Sequence, residues 1–238
     1  MFIRKTRSVT SNGQEEGIAM PNVHRRTFLK YAGMGTAILS AGSVLSSCSK
    51  DDNNSDGTGV SLGSGDFAVL NYAYALEQLE AAFYVQVMAT PYASMPTAEA
   101  TILADIRNHE VAHREFFKAA LGSNAIPALE VNFTSIDFTK RDSVLATAMA
   151  FEDLGVSAYN GAGQYISLVD YLALAGKIVS VEARHAAVIR DLISPGTFAD
   201  TTAVDATTGL DMSRTPSAVF AIAGTYIKTK INVNTLPH

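Results

Sequence analysis

Residues 103–120 read LADIRNHEVAHREFFKAA. At helical period Leu103, Ile106, Glu110, His113, Phe117 and Ala120 recur at alternating spacings of three and four, the stripe that a bundle helix turns toward its neighbours. A carboxylate and an imidazole therefore sit on a face meant for burial, where each is costly without a partner. A Glu and a His three apart on one face reach the same point, and a metal ion there satisfies both. An isolated Glu-x-x-His step is common by chance, so the stretches around it decide.

Upstream, Phe67, Leu70, Tyr74, Glu77, Ala81, Tyr84 and Met88 form a second such seam, closed by Pro91. This predicts a helix over 66–89. The short turn from Pro91 to Pro96 then requires the helix at 97–121 to run back antiparallel, with Thr97 as its N-cap and Gly122 as its stop. Residues 122–140 carry Gly, Pro and Asn without a sustained period, and Val131 to Phe138 read as extended. A third helix is predicted over 141–166, seamed by Leu145, Met149, Glu152, Val156, Tyr159, Gly163 and Ile166. After a break near Leu168, a fourth follows over 170–193, seamed by Ala175, Ile178, Glu182, His185, Ile189 and Leu192. Ser194-Pro195-Gly196 ends it, and Ala218 to Lys228 predict one short helix in the extension 194–238. Short, long, short connections define an all-α fold: an antiparallel four-helix bundle of two hairpins joined by one long crossover.

The hairpins repeat. Ala75-Leu76-Glu77-Gln78-Leu79 with Tyr84 matches Ala150-Phe151-Glu152-Asp153-Leu154 with Tyr159, and Glu110-Val111-Ala112-His113 matches Glu182-Ala183-Arg184-His185. Each hairpin supplies one Glu on its first helix and one Glu-x-x-His on its second. This ordered set resembles the ligand set of the ferritin-like di-metal carboxylate proteins. LEQLEAAFY followed by NHEVAHREFFKAALG is similar to the bacterial ferritin-like family with secreted and desiccation-associated members. The resemblance covers residues 66–193 and implies two divalent metal ions, iron first and manganese as the alternative. Glu110 and Glu182 would bridge them, Glu77 and Glu152 would each cap one, and His113 and His185 would complete the pair. Four buried carboxylates and two divalent cations also balance in charge, whereas close carboxylates without cations do not all ionise.

Around these six, Glu80 is an accessory carboxylate or else a solvated or hydrogen-bonded side chain; its repeat equivalent is Gly155. Tyr84 and Tyr159 lie about twenty degrees from Glu77 and Glu152 by helical angle. The resemblance implies that each hydrogen-bonds the ligating carboxylate of the opposing helix pair and fixes its orientation. His109 and Asp153 point well away from the seam, toward the surface or the outside of the ligand shell.

The first fifth of the chain is of another kind. Arg25-Arg26-Thr27-Phe28-Leu29-Lys30 precedes a mild apolar run, Tyr31 to Ser47, too short and too rich in Gly, Ser and Ala for a membrane span. It resembles a twin-arginine export signal, and Leu45-Ser46-Ser47-Cys48 resembles a lipoprotein cleavage box, with Cys48 as the lipidated residue and membrane anchor. Met20 stands where such a signal usually begins. Ser49 to Gly65 read as a flexible tether, and Ser49-Lys50-Asp51-Asp52 is similar to a tag for the outer cell surface. The expected location is the cell envelope, periplasmic or surface-facing.

The 47% hydrophobic content suffices for one core in 238 residues. Residues 1–48 hold six of the 18 Lys/Arg and two of the 23 Asp/Glu, which leaves a formal charge of −9 on the remainder. Without a basic patch, such a domain has no footprint for nucleic acid, and a DNA-protecting role is excluded on that ground. Its single cysteine allows no internal disulfide. A Gly-rich phosphate loop, a CxxC pair and a serine nucleophile motif are all missing. The expectation is an exported di-iron carboxylate protein that oxidises Fe(II) with O2 or peroxide, anchored as a monomer or dimer rather than a cage. Its alternative is a non-catalytic envelope stress or binding module with a structural or relic metal site.

Overall fold

The computed structural model describes residues 59–236. The signal segment 1–48, Cys48 and the tether as far as residue 58 lie outside the described residues. Four long helices dominate: α1 (Gly65–Ala89), α2 (Thr97–Leu121), α3 (Arg141–Ala162) and α4 (Val169–Ile193). Helix α1 packs along α2, and α3 along α4, so the chain folds as two helical hairpins closed into one bundle. A short α5 (Pro216–Ala223) follows, its Thr215 side chain accepting a hydrogen bond from the Ala218 amide in an N-cap ahead of Pro216. None of the described helices is long and apolar enough to cross a membrane.

Helix α1 is buried on nearly all sides, from Ala68 through Ala81 without a break. It is covered by α2, by α3 and by the crossover 122–140, which its polar residues bind. Asn71 Nδ2 donates to Leu62 O at 3.0 Å and to Asn124 O at 2.8 Å, and its Oδ1 accepts from Ile126 N at 2.9 Å. Gln78 Oε1 accepts from Leu129 N at 2.9 Å. Buried amides are thus spent on holding the crossover, which satisfies both partners. At the far end Arg141 forks onto Glu99 at 2.6–3.0 Å and reaches Leu192 O at 2.8 Å, and the Tyr92 hydroxyl donates to the same Glu99. The starts of α2 and α3 and the end of α4 are joined there.

Several local expectations are corrected. Helix α2 begins at Thr97 itself, with Pro96 in extended conformation at the cap position and no capping side chain. Helix α3 stops at Ala162 and continues only as a 3-10 turn, Gly163–Tyr165, short of residue 166. Gly161 and Gly163 weaken the helix there, and the C-terminal extension presses on it. A Cβ at Gly161 would sit 1.7 Å from Arg214 O, while Arg214 N donates to Ser157 O at 3.0 Å. Val131 to Phe138 form no strand; only Val131 makes an isolated bridge, to Ile227. The tether expected to reach residue 65 ends sooner. Val60–Ser61 (β1) pairs in parallel with Ile231–Asn232 (β2), and Leu62 is fully buried.

Candidate metal centre

The three-four seams bring Glu77, Glu110, His113, Glu152, Glu182 and His185 together in the middle of the bundle. The four carboxylates are fully buried, and His113, at 14% side-chain exposure, is the most open of the six. His113 Nδ1 lies 3.0 Å from Glu182 Oε1, 3.4 Å from Glu77 Oε2 and 3.7 Å from Glu110 Oε2. His185 Nδ1 lies 2.9 Å from Glu110 Oε1, 3.4 Å from Glu152 Oε2 and 4.0 Å from Glu182 Oε2. Glu110 and Glu182 therefore each turn one oxygen toward either histidine, and Glu77 and Glu152 each face one alone.

The side chains form two groups with metal-ligand spacing: Glu77, Glu110, His113 and Glu182, and Glu110, Glu152, Glu182 and His185, the ligand atoms of each within 4.8 Å of one another. Among the described residues nine buried side-chain polar atoms lack a hydrogen-bond partner, and eight of them belong to these six residues. Such atoms are costly when left unmade. They converge on shared points, close enough for His113 and His185 to face the carboxylates as ion pairs but without well-directed hydrogen bonds, and a nitrogen-and-carboxylate donor set of this kind fits divalent iron or manganese.

Electrostatics agree with a site built for cations. Burial pushes Glu77 up to about 7 and Glu182 up to about 8, with His113 the chief opposing influence on Glu77. Burial also raises Glu152. Burial lowers both ligand histidines, yet the carboxylates around them outweigh it: His113 rises to about 12 beside Glu110, Glu182 and Glu77, and His185 to about 10 beside Glu110 and Glu152.

The surrounding residues fall into place crosswise. Tyr84 of α1 donates to Glu152 Oε1 of α3 at 2.5 Å, and Tyr159 of α3 donates to Glu77 Oε1 of α1. Each hydrogen bond leaves the other oxygen of its carboxylate facing the centre. Glu80 is 3% exposed, so the solvated alternative for it does not hold. It stands outside both ligand groups, and its Oε1 lies 3.0 Å from where a Cβ on Gly155 would be. Burial, then the charges of Glu182, Glu110, Glu77 and Glu152, raise it well above the usual carboxylate range.

His109 lies on the surface, as its helical angle implies, yet it touches the centre through the other hairpin. Its Nδ1 is 2.9 Å from His185 Nε2, with the rings nearly parallel. Asp153 faces outward and holds Arg190 of α4 by two hydrogen bonds, at 2.9 and 2.6 Å. The His109 contact had no sequence signal beyond adjacency to Glu110.

A four-helix bundle with two hairpin-related carboxylate–histidine sets at its core defines a class. A family model described as Ferritin-like domain matches residues 65–195, more than half of the 238-residue chain. The chain belongs to that ferritin-like domain family. No curated protein matches it.

Proposed function

We propose that this chain is an exported di-metal carboxylate protein, with iron as the metal and manganese as the alternative, that oxidises Fe(II) with O2 or peroxide. The observation that carries the reading is the sharing of Glu110 and Glu182 between two complete donor groups, with eight buried ligand atoms left without partners. Bound iron would supply one-electron redox capacity and open coordination positions. In the balanced reaction O2 takes one electron from each of two Fe(II) ions and two protons from solvent, and leaves as H2O2. With H2O2 as oxidant, the same two electrons and two protons give two waters.

The chain's own residues do the rest. Glu110 and Glu182 would be shared between the two ions, and Glu77 with His113 and Glu152 with His185 would hold one ion each. Tyr84, Tyr159 and His109 orient Glu152, Glu77 and His185. Glu80, raised well above the usual carboxylate range by burial and the neighbouring carboxylates, would stand beside them as an accessory carboxyl. The twin-arginine pattern at 25–30 and the cleavage box ending at Cys48 support export and anchoring to the membrane by a lipid on Cys48. Export of a folded chain would let the metal be loaded first.

The test is metal analysis of anaerobically purified protein, followed by the optical spectrum on adding Fe(II) and then air. Two metals per chain and an absorption change on exposure to air are expected. A Glu110→Ala variant should lose most of one metal equivalent, and unchanged stoichiometry would sink the assignment. One observation favours the second reading, a structural or relic site. With His113 and His185 charged and Glu77 and Glu182 raised to about 7 and 8, the cluster can neutralise itself with protons alone. Negligible metal and no response to added iron or manganese would decide for it.

A further inference from the structure

A second feature of the bundle interior bears on which oxidant the centre takes. Between its four helices lies a cavity of about 20 Å³, room for one water-sized molecule. Its inner wall holds Leu76, which precedes Glu77 in the chain, and Tyr159, whose hydroxyl donates to Glu77 Oε1. Of its lining residues only Gly163, Ile166 and Ala175 are less than fully buried, which places its mouth where α3 gives way to α4. A second cavity, also about 20 Å³, shares Leu70, Phe117 and Ala175 with it and runs on to Leu174 and the exposed Ala120. The two cavities abut across these shared side chains, one beside Leu76 and Tyr159 and the other beside the exposed Ala120.

A route through the two would be walled almost wholly by carbon. The lining side chains of the inner cavity carry two hydroxyls: that of Tyr159, committed to Glu77, and that of Tyr72, buried and without a partner. A peroxide molecule there would bury two hydroxyl groups with at most one partner between them, which is costly. Dioxygen is apolar, needs no partner, and is favoured in a dry apolar space. His113, whose side chain is 14% exposed, is the most open of the six clustered residues and lines neither cavity.

We propose that the two apolar cavities between the helices join to form the entry for dioxygen, so that O2 and peroxide reach the centre by different doors. The proposal rests on the reading of the centre as a metal site that oxidises Fe(II). Its substrate class is a small apolar gas, and its selecting residues are Leu70, Phe117, Ala162 and Ala175 rather than any ligand.

Two readouts test it. Crystals pressurised with krypton should show a gas atom between Phe117 and Tyr159, and Ala162→Leu, which fills the inner cavity, should remove it. With iron loaded, Ala162→Leu and the mouth variant Ala175→Leu should each slow oxidation by O2 several-fold and leave oxidation by H2O2 unchanged. The unchanged peroxide rate shows at the same time that the variants are folded. Parent crystals without krypton at this position overturn the proposal, as do variants that keep the parental O2 rate while peroxide is still turned over. A parent chain that oxidises iron with neither oxidant overturns the reading of the centre itself, and the proposal with it.

Discussion

Hairpin α1–α2 and hairpin α3–α4 present the same set to the centre, Glu77 with Glu110 and His113 from one, and Glu152 with Glu182 and His185 from the other. Even the crossed tyrosines, Tyr84 and Tyr159, obey the repeat. The hairpins part company just outside that set. Where the first carries Glu80 the second carries Gly155, and where the first carries His109 the second carries Val181. Both departures have a physical sense across the bundle. The side chain missing at Gly155 is the space that Glu80 occupies, and the histidine present only at position 109 reaches the ring of His185. For His113 the repeat offers only Val181, which has no ring nitrogen to donate or accept. A duplicated set of carboxylates and histidines thus becomes two unequal donor groups through residues that stand outside both.

The harshest way to break the comparison is to restore it. Gly155→Glu would make the two helices alike at this repeat position and force a second carboxylate into space already filled, since a Cβ there stands 3.0 Å from Glu80 Oε1 and 3.4 Å from Glu182 Oε2. A buried carboxylate without a cation should destabilise the metal-free fold by about 3 kcal/mol or more, read by denaturant unfolding. A loss below about 1 kcal/mol, the size of an ordinary substitution, would show that Glu80 does not use that space.

The second asymmetry is milder. His109→Ala removes the partner of His185 Nε2, and loss of such an orienting contact weakens metal binding about tenfold to a hundredfold. Competition with a chelator should show one of the two ions weakened and the other unchanged, whereas Val181→Ala should alter neither. Equal weakening of both ions by His109→Ala would mean that the two positions are not distinguished by this contact.

How much of this was open to reading from sequence follows from the range of the contacts involved. The helix spans come from a local period, so α1, α2 and α4 fall within one residue of their predicted ends. The six clustered residues come from the same period, repeated. What escaped is non-local. The pairing of Val60–Ser61 with Ile231–Asn232 joins opposite ends of the described chain, and the close approach of Arg214 to Gly161 near the end of α3 comes from the distant C-terminal extension. The Glu99–Arg141–Tyr92 junction looks in sequence like three ordinary surface residues. Glu80 is ambiguous in sequence because its repeat equivalent, Gly155, argues against a primary ligand without showing that the same glycine makes room for it across the bundle.

Proton balance offers a test in which the hairpins should act together. Glu77 of one and Glu182 of the other rise to about 7 and about 8, above the ordinary 4.5. His113 and His185 rise to about 12 and about 10, above the ordinary 6.5. All four folded values exceed the unfolded ones, so the metal-free fold binds more protons than the unfolded chain. Its stability from these groups is present at low pH and is lost as pH rises, from about 4.5 to 8 for the carboxyls and from about 6.5 to 12 for the histidines. The melting temperature of the metal-free chain should therefore fall between about pH 5 and pH 9. Metal binding expels the same protons, so affinity should climb over that interval. Parallel slopes for the metal-free melting temperature and for affinity would contradict this balance.

The smallest effect gives the finest comparison. A glycine inside a helix costs about 0.5–1 kcal/mol relative to alanine, so Gly155→Ala would ordinarily stabilise α3. In the parent the new Cβ meets Glu80 Oε1 at 3.0 Å, and the flexible end of that side chain must move within a crowded core. The gain and the displacement should nearly cancel, leaving unfolding free energy almost unchanged. In a Glu80→Ala background the obstacle is gone, and the same Gly155→Ala change should stabilise by about 1 kcal/mol. The difference between the two backgrounds is the coupling between positions 80 and 155, of the size expected for side chains in contact. Additive behaviour would place Glu80 away from the glycine and dissolve the link between them. Coupling of the expected sign would mean that the second hairpin gave up a side chain to house the first one's extra carboxyl, which no ligand motif records.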